Sequence, residues 1–263
     1  MTVAYDGSSF NGWQRQRNGR SVQEDLETAL LAMLKEPVEV SGSGRTDSGV
    51  HALGQVCHFD ISNHRIGAGV FVRALNKLLP ADVRVLDSEE VDGSFHARFS
   101  TMAREYRYLA KEELSFKPFD RDRAAKVRRF PDLDLLNDYA SCLEGTHDFT
   151  TFTGSGDLCP SKWRDIYVSR FSFERDFWGD RVLVYTICGN AFLYRMVRSL
   201  VGTMLQLGDS EIPVDEFRRR LEARDRSETG KTAPAGGLYL ARVSYDPQEY
   251  AWFEPSAGED AHE

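Results

Sequence analysis

The stretch from Gly42 to Ala52 reads Gly-Ser-Gly-Arg-Thr-Asp-Ser-Gly-Val-His-Ala, and it dictates a loop. Gly42, Gly44 and Gly49 disfavour the interior of a helix or strand, and they permit positive φ or close approach of backbone to a ligand. One carboxylate, Asp47, sits on this loop between Arg45 and small residues. An aspartate so placed projects into a cleft with nothing of its own to crowd it. Glycine, serine and aspartate also build ordinary turns. The order Arg-Thr-Asp-Ser-Gly-Val-His is richer than turn chemistry requires.

The 263 residues can bury a large core in one or two domains. With 41% hydrophobic and 28% charged residues, the composition is that of a soluble globular protein. No apolar run approaches the roughly 18 residues of a membrane span. Met1 to Asp6 lacks the basic and apolar regions of a signal peptide. Cys57, Cys142, Cys159 and Cys188 form no CxxC pair, so they read as reduced thiols of a cytoplasmic protein, and no structural zinc site is expected. The net charge of −8 argues mildly against a nucleic-acid partner, but phosphate binding depends on local patches. Basic residues cluster near the motifs: Arg15, Arg17 and Arg20; Arg98, Arg104 and Arg107; Arg195 and Arg198. Arg218-Arg219-Arg220 reads as a solvated helix face. Residues 246–263 read as a disordered acidic tail.

Periodicity predicts alternating strands and helices. Residues 1–5 form a strand, and Ser21 with Glu24 forms a capping box. The helix it opens has Val22, Leu26, Ala29, Leu30, Met33 and Leu34 on one face. Val38-Glu39-Val40 begins a strand that delivers the Asp47 loop, and 55–60 is the next strand. A helix carrying Val70, Phe71, Ala74, Leu75, Leu78 and Leu79 ends at Pro80, and Val83 and Val85 alternate in a further strand. Strands follow at 104–110, 166–173, 181–188 and 238–245. Helices are expected around Leu133 to Leu143, from Ala191 to Leu207 with Gly208 as the stop, and from Val214 to Ala223. The hairpins favour an α+β fold with a mostly antiparallel sheet over a doubly wound one.

Arg198 lies in the apolar Ala191 to Leu207 run, opposite the stripe of Phe192, Met196, Leu200, Thr203 and Leu207. A helix apolar nearly all round is buried on both sides. A buried arginine needs a partner, because an uncompensated charge costs several kcal/mol. It either snorkels to solvent, pairs with a structural carboxylate, or pairs with Asp47; pairing would keep Asp47 ionised and aimed. Tyr106 shares a strand face with Arg104, Tyr108 and Ala110. A strand tyrosine is ordinarily core. His51 and His58 lack any metal-ligand pattern, so no metal is expected, and His51 is expected to order its loop. There is no GxxxxGK[ST], no GxGxxG after a strand and no nucleophile elbow.

Several blocks carry a resemblance. They are Tyr5-Asp6-Gly7 with Gly12-Trp13-Gln14-Arg15-Gln16, Ser21-Val22-Gln23-Glu24, and Gly44-Arg45-Thr46-Asp47-Ser48-Gly49-Val50-His51. Phe95-His96-Ala97-Arg98-Phe99-Ser100, Arg104-Glu105-Tyr106-Arg107-Tyr108, Asn190-Ala191-Phe192 through Met196-Val197-Arg198, and Thr232-Ala233-Pro234-Ala235 with Gly237-Leu238-Tyr239-Leu240 continue the series. Together, in this order, they resemble the TruA-type tRNA pseudouridine synthases. The resemblance implies two related α+β subdomains, 1–98 and 99–245, sharing one sheet with the active-site cleft between them. It implies isomerisation of uridine at positions 38 to 40 of the tRNA anticodon stem-loop, usually by a homodimer, without metal or small-molecule cofactor. Asp47 falls at the catalytic aspartate, Arg198 at its arginine partner, and Tyr106 at the tyrosine that stacks on the flipped base. Arg45 and Arg98 are candidates for phosphate contacts, and Leu238 and Leu240 for the pocket lining. Only Met1 to Ala4 precede Tyr5, fewer than the family's opening carries. Either the start lies further upstream, or the first strand is clipped, which would expose a sheet edge or an interface. Two rival classes are an RNA-binding module that does not need Asp47, and a small-molecule hydrolase that uses it as a nucleophile.

Overall fold

The computed structural model describes residues 1–62 and 66–246, so the expected tail lies outside it except for Asp246. The strands are β1 (Thr2–Tyr5), β2 (Ser41–Gly42), β3 (His51–His58), β4 (Val83–Asp87), β5 (Ala103–Glu112), β6 (Ala125–Val127), β7 (Gly145–Asp148), β8 (Trp163–Arg175), β9 (Arg181–Gly189) and β10 (Leu238–Ser244). The helices are α1 (Val22–Leu34), α2 (Ala68–Leu78), α3 (Leu133–Ser141), α4 (Met196–Asp209) and α5 (Val214–Ala223). All ten strands join one sheet, in the order β4-β1-β3-β10-β5-β9-β8-β7, with β2 added on β3 and β6 on β5. Among the described residues, only the β3–β10 and β5–β6 pairs are parallel. The fold is therefore α+β with a mostly antiparallel sheet, as the hairpin pattern indicated. The last strand, β10, inserts between β3 and β5 and joins the first hundred residues to the rest. The short β1 is interior, paired with both β3 and β4.

Local chemistry explains most elements. The Ser21 side chain accepts from the Glu24 N–H and starts α1, which buries Val22, Leu26, Ala29 and Leu30. α2 buries Phe71 and Leu75 but leaves Val70 and Leu78 exposed, a narrower face than expected. α2 packs against α1 and β4, while α3 packs on β8 and against α4 and α5. Tyr139 of α3 and Phe217 of α5 meet with ring centroids 5.4 Å apart.

Four expectations fail. Residues 38–40 are not a strand, because polar side chains of α1 take their hydrogen bonds: Val40 N–H donates to Glu27 Oε1 (3.0 Å), and Gln23 Nε2 donates to Val40 O (3.1 Å). The strand after the loop starts at His51 rather than Gln55. The long helix starts at Met196 rather than Ala191, with Arg195 left-handed at φ 59°. Residues before it are tied elsewhere: Tyr194 N–H donates to Asp157 Oδ2 (2.7 Å), and Gly154 N–H to Tyr194 O (2.6 Å). Gly208 does not stop this helix. It lies within α4, where a Cβ would sit 2.8 Å from Pro131 Cβ. β6 and β7 were not anticipated, since neither three nor four residues give a readable period.

Lys111 of β5 is buried beneath three carboxylates. Its Nζ lies 2.8 Å from Asp120, 2.6 Å from Asp176 and 3.4 Å from Asp180. The cluster pins the β8–β9 turn and the 118–124 segment to the sheet. Burial pushes Lys111 down, but its bonds to Asp120 and Asp176 outweigh that and raise its pKa. Burial likewise pushes Asp176 up, yet the bond from Lys111 leaves its carboxyl below the ordinary value. The lysine's contribution is complete below its ordinary pKa near 10.4 and is lost only as pH rises past its raised value. The aspartate's contribution is complete above about pH 4 and is lost as pH falls through its lowered value. Lys111→Met leaves three facing carboxylates, so urea unfolding at pH 7 should show a loss of about 3 kcal/mol. The deficit should shrink at pH 3, as the carboxyls take up protons. An equal deficit at both pH values would contradict the electrostatic account.

Candidate active site

The Asp47 loop rests on residues 10–13. Trp13 N–H donates to Thr46 O (3.1 Å), and Gly49 N–H and Ser48 Oγ both donate to Phe10 O (3.2 Å each). Gly12 makes this approach possible, with φ +97° and space for no Cβ, which would lie 2.6 Å from Thr46 O. The Tyr5 hydroxyl and Thr46 Oγ1 share a 2.8 Å bond, and Gln55 Nε2 donates to Gly44 O at 2.8 Å. Thr46 is thereby held inward, and its neighbours Arg45 and Asp47 face outward. Arg45 is exposed, and Asp47 is partly buried.

Arg198 Nη1 donates to Asp47 Oδ2 at 3.1 Å, with the two side chains 15% and 22% exposed. The guanidinium is latched: its Nε donates to Ala233 O (2.8 Å), and Ala233 N–H donates back to Arg198 O (3.0 Å). Of the partners open to Arg198 from sequence, the Asp47 carboxylate is the one it has. The 231–233 segment reaches α4 because Gly202 has no side chain; a Cβ there would lie 1.9 Å from Lys231 O.

Tyr106 on β5 is 7% exposed and meets Phe192 edge to face, 5.1 Å between centroids at 81°. Burial pushes its hydroxyl up to about 12; Arg104 opposes this shift, and the Asp47 charge adds to it. The hydroxyl has no hydrogen-bond partner among the described residues. Asp47, Arg198 and Tyr106 thus come together, although 151 residues separate the first two. Leu240 lies opposite Tyr106 on β10, and Leu238 opposite Tyr108; both leucines are buried in the core. Arg98 is exposed, its guanidinium 5.7 Å from the Phe99 ring centroid.

His51 orders the loop's exit. Its Nδ1 accepts from Gly7 N–H (3.0 Å), its Nε2 donates to Asp122 O (2.6 Å), and its ring stacks on Tyr239 at 4.6 Å. Among the described residues, no group of three or more His, Cys, Asp or Glu has the placement of a metal site. The arginine clusters seen in the sequence separate into two kinds. Arg15 pairs with Glu27, Arg20 with Asp25 and Asp82, Arg107 with Glu174, and Arg218, Arg219 and Arg220 with acids of their own neighbourhood. Arg17, Arg45, Arg98 and Arg195 are exposed and have no carboxylate partner among the described residues. Arg104 is of neither kind: it is buried and bonds carbonyl groups. Nothing in its residue type separates it from the exposed arginines; the alternation of β5 does, since it shares the inward face with Tyr106 and Tyr108.

A single aimed carboxylate beside a buried phenol is a site for nucleophilic or general-base chemistry on a ligand that exposed arginines can hold. A family profile for tRNA pseudouridine synthase matches residues 1–100 and 140–246. The chain is 42% identical to tRNA pseudouridine synthase A of Treponema denticola over 250 residues, covering 93% of this chain and 91% of that protein. It is 46% identical to the protein of that name from Bacillus pumilus over 247 residues, covering 93% and 98%. It is 42% identical to that from Ligilactobacillus salivarius over 254 residues, covering 95% and 96%. The chain belongs to the tRNA pseudouridine synthase family, and its class is that of an isomerase. No helix among the described residues is long and apolar enough to cross a membrane.

Gly202→Ala should push the 231–233 segment off α4 and loosen the Arg198 latch, at a cost of about 1–3 kcal/mol in stability and a matching loss of turnover. Gly69→Ala on α2, where nothing lies within 4 Å of the added Cβ, should instead stabilise slightly. Thermal melts beside a turnover assay check the pair. Equal melting of both variants would contradict the latch.

Proposed function

We propose that the protein isomerises uridine to pseudouridine at positions 38 to 40 of the tRNA anticodon stem-loop, with Asp47 as the catalytic carboxylate. The observation that carries this reading is the Asp47–Arg198 ion pair, on a loop whose Thr46 and Gly44 are held by Tyr5 and Gln55. The base leaves C1′ through N1, rotates, and rejoins through C5. No atom is added or lost overall, so the chemistry asks for a held base and one well-aimed carboxylate. Asp47 has two routes, attack on the ribose or base, and proton removal at the sugar; both need it ionised and directed.

Tyr106 supplies the wall on which the extruded base stacks, with Phe192 against its edge, and its unpartnered hydroxyl serves proton movement at C5. Leu238 and Leu240 form the floor behind Tyr106 and Tyr108. Arg45 and Arg98 hold phosphates beside the extruded nucleotide, because phosphate contacts position RNA. In this reading residues 1–98 and 99–245 are two subdomains joined through the β3–β10 pair, with the site in the cleft between them. The working unit is a cytoplasmic homodimer, in which the body of one tRNA lies on one subunit while its loop enters the other's cleft.

Tritium release from transcripts labelled with [5-³H]uridine tests the site preference. Release should follow uridines at 38 to 40 and vanish when cytidine replaces them; unchanged release would contradict it. Arg45→Ala should weaken tRNA binding and lower the slope of log affinity against log salt by about 1. An unaltered slope would remove Arg45 from the phosphate contacts.

A further inference from the structure

Arg104 is a buried cation whose partners are all uncharged. On β5 it is 9% exposed, and no carboxylate among the described residues pairs with it. Its guanidinium instead gathers three carbonyls from three segments. Nη2 donates to Ser43 O at 2.6 Å and to Arg98 O at 3.2 Å, Nε to Ser43 O at 3.3 Å, and Nη1 to Asn190 O at 2.8 Å. Ser43 begins the Asp47 loop, Arg98 lies in the stretch before β5, and Asn190 opens the turn that carries Phe192. A burial this deep would ordinarily be compensated by an acid. Leaving the charge uncompensated places a net positive potential inside the site, where low dielectric makes it felt.

Tyr106 is the group that feels it. The two residues are neighbours on the same face of β5. A Cβ at Gly44 would lie 3.5 Å from Arg104 Nε and 4.0 Å from Tyr106 Oη, so both side chains converge on the loop just before Asp47. The hydroxyl itself is unpartnered, free to face a ligand. Burial lowers the pKa of Arg104, but a guanidinium stays charged at any working pH.

We propose that Arg104 is a positioning residue for the isomerisation: its uncompensated buried charge polarises the Tyr106 hydroxyl, while its fork fixes the Ser43 end of the Asp47 loop. This rests on the reading of Tyr106 as a residue that touches the base. Two consequences follow for the reaction. Negative charge that builds on Tyr106 Oη during turnover is stabilised by Arg104 against the opposing charge of Asp47. The distance between the Tyr106 strand and the Asp47 loop is held by the same side chain.

The test compares Arg104→Gln, which keeps neutral donors, with Arg104→Lys, which keeps the charge, in single-turnover and steady-state tritium release. Arg104→Gln should lower kcat by about tenfold or more with KM within about twofold, and Arg104→Lys should recover most of that loss. In a Tyr106→Phe background, Arg104→Gln should slow kcat by clearly less than it does in the wild type, the remainder being its hold on the Asp47 loop. A Gln variant as fast as wild type overturns the proposal, as does a Lys variant no faster than Gln, or losses that simply multiply with Tyr106→Phe. If Arg104→Gln does not fold, Arg104→Lys alone and with Tyr106→Phe decides: near-wild-type kcat in the single variant supports the charge, and a tenfold loss refutes it. Tyr106→Phe at the wild-type rate would instead overturn the reading of Tyr106, whereas a slow Tyr106→Phe beside an unaffected Arg104→Gln overturns the Arg104 role alone.

Discussion

The 3.1 Å bond between Arg198 and Asp47 closes a chain separation of 151 residues, and the arrangement of the molecule around it is a set of supports. On one side, β2 and β3 deliver a loop whose Thr46 is locked inward by Tyr5 and whose Gly44 is held by Gln55. On the other, α4 carries the guanidinium, and Ala233 holds it by a reciprocal pair of bonds. The two sides meet only because β10 inserts between β3 and β5. An exposed pair of this kind would contribute little to stability. Here each partner is fixed by separate bonds, so the pair fixes direction more than it stabilises the fold.

Charge is distributed to match that design. The chain is acidic overall, yet many of its arginines are neutralised by nearby carboxylates, as in Arg20 with Asp25 and Asp82. Arg45, Arg98 and Arg195 are left unneutralised close to Asp47 along the chain or through Arg104 and Arg198. Association of a polyanion with such arginines falls steeply with salt.

Much of this was legible before any coordinates. Gly49 beside Asp47, which takes φ +78°, and the Ser21 cap each encode a local requirement, and each appears in the fold as that requirement dictates. What was illegible depends on contacts between distant segments. Nothing in Asn190 to Arg195 breaks a helix; the break comes from Asp157 and Gly154 taking the backbone groups of Tyr194. Val38 to Val40 has strand composition, but the backbone groups of Val40 bond Gln23 and Glu27 instead of a strand. Gly208 looks like a helix stop and is a packing site against Pro131. Arg104 looks like one more RNA-facing arginine and is a buried clamp. The site was more legible than the fold around it, because Asp47 and Arg198 are constrained by chemistry that few residue types can satisfy.

The most direct measurement is tritium release from unmodified tRNA carrying [5-³H]uridine, comparing wild type with Asp47→Asn, each checked for tRNA binding. Release by the wild type alone, with binding retained by the variant, is the expected result and assigns the chemistry to Asp47. Equal release by both proteins, or binding without release by either, would contradict the account at its centre.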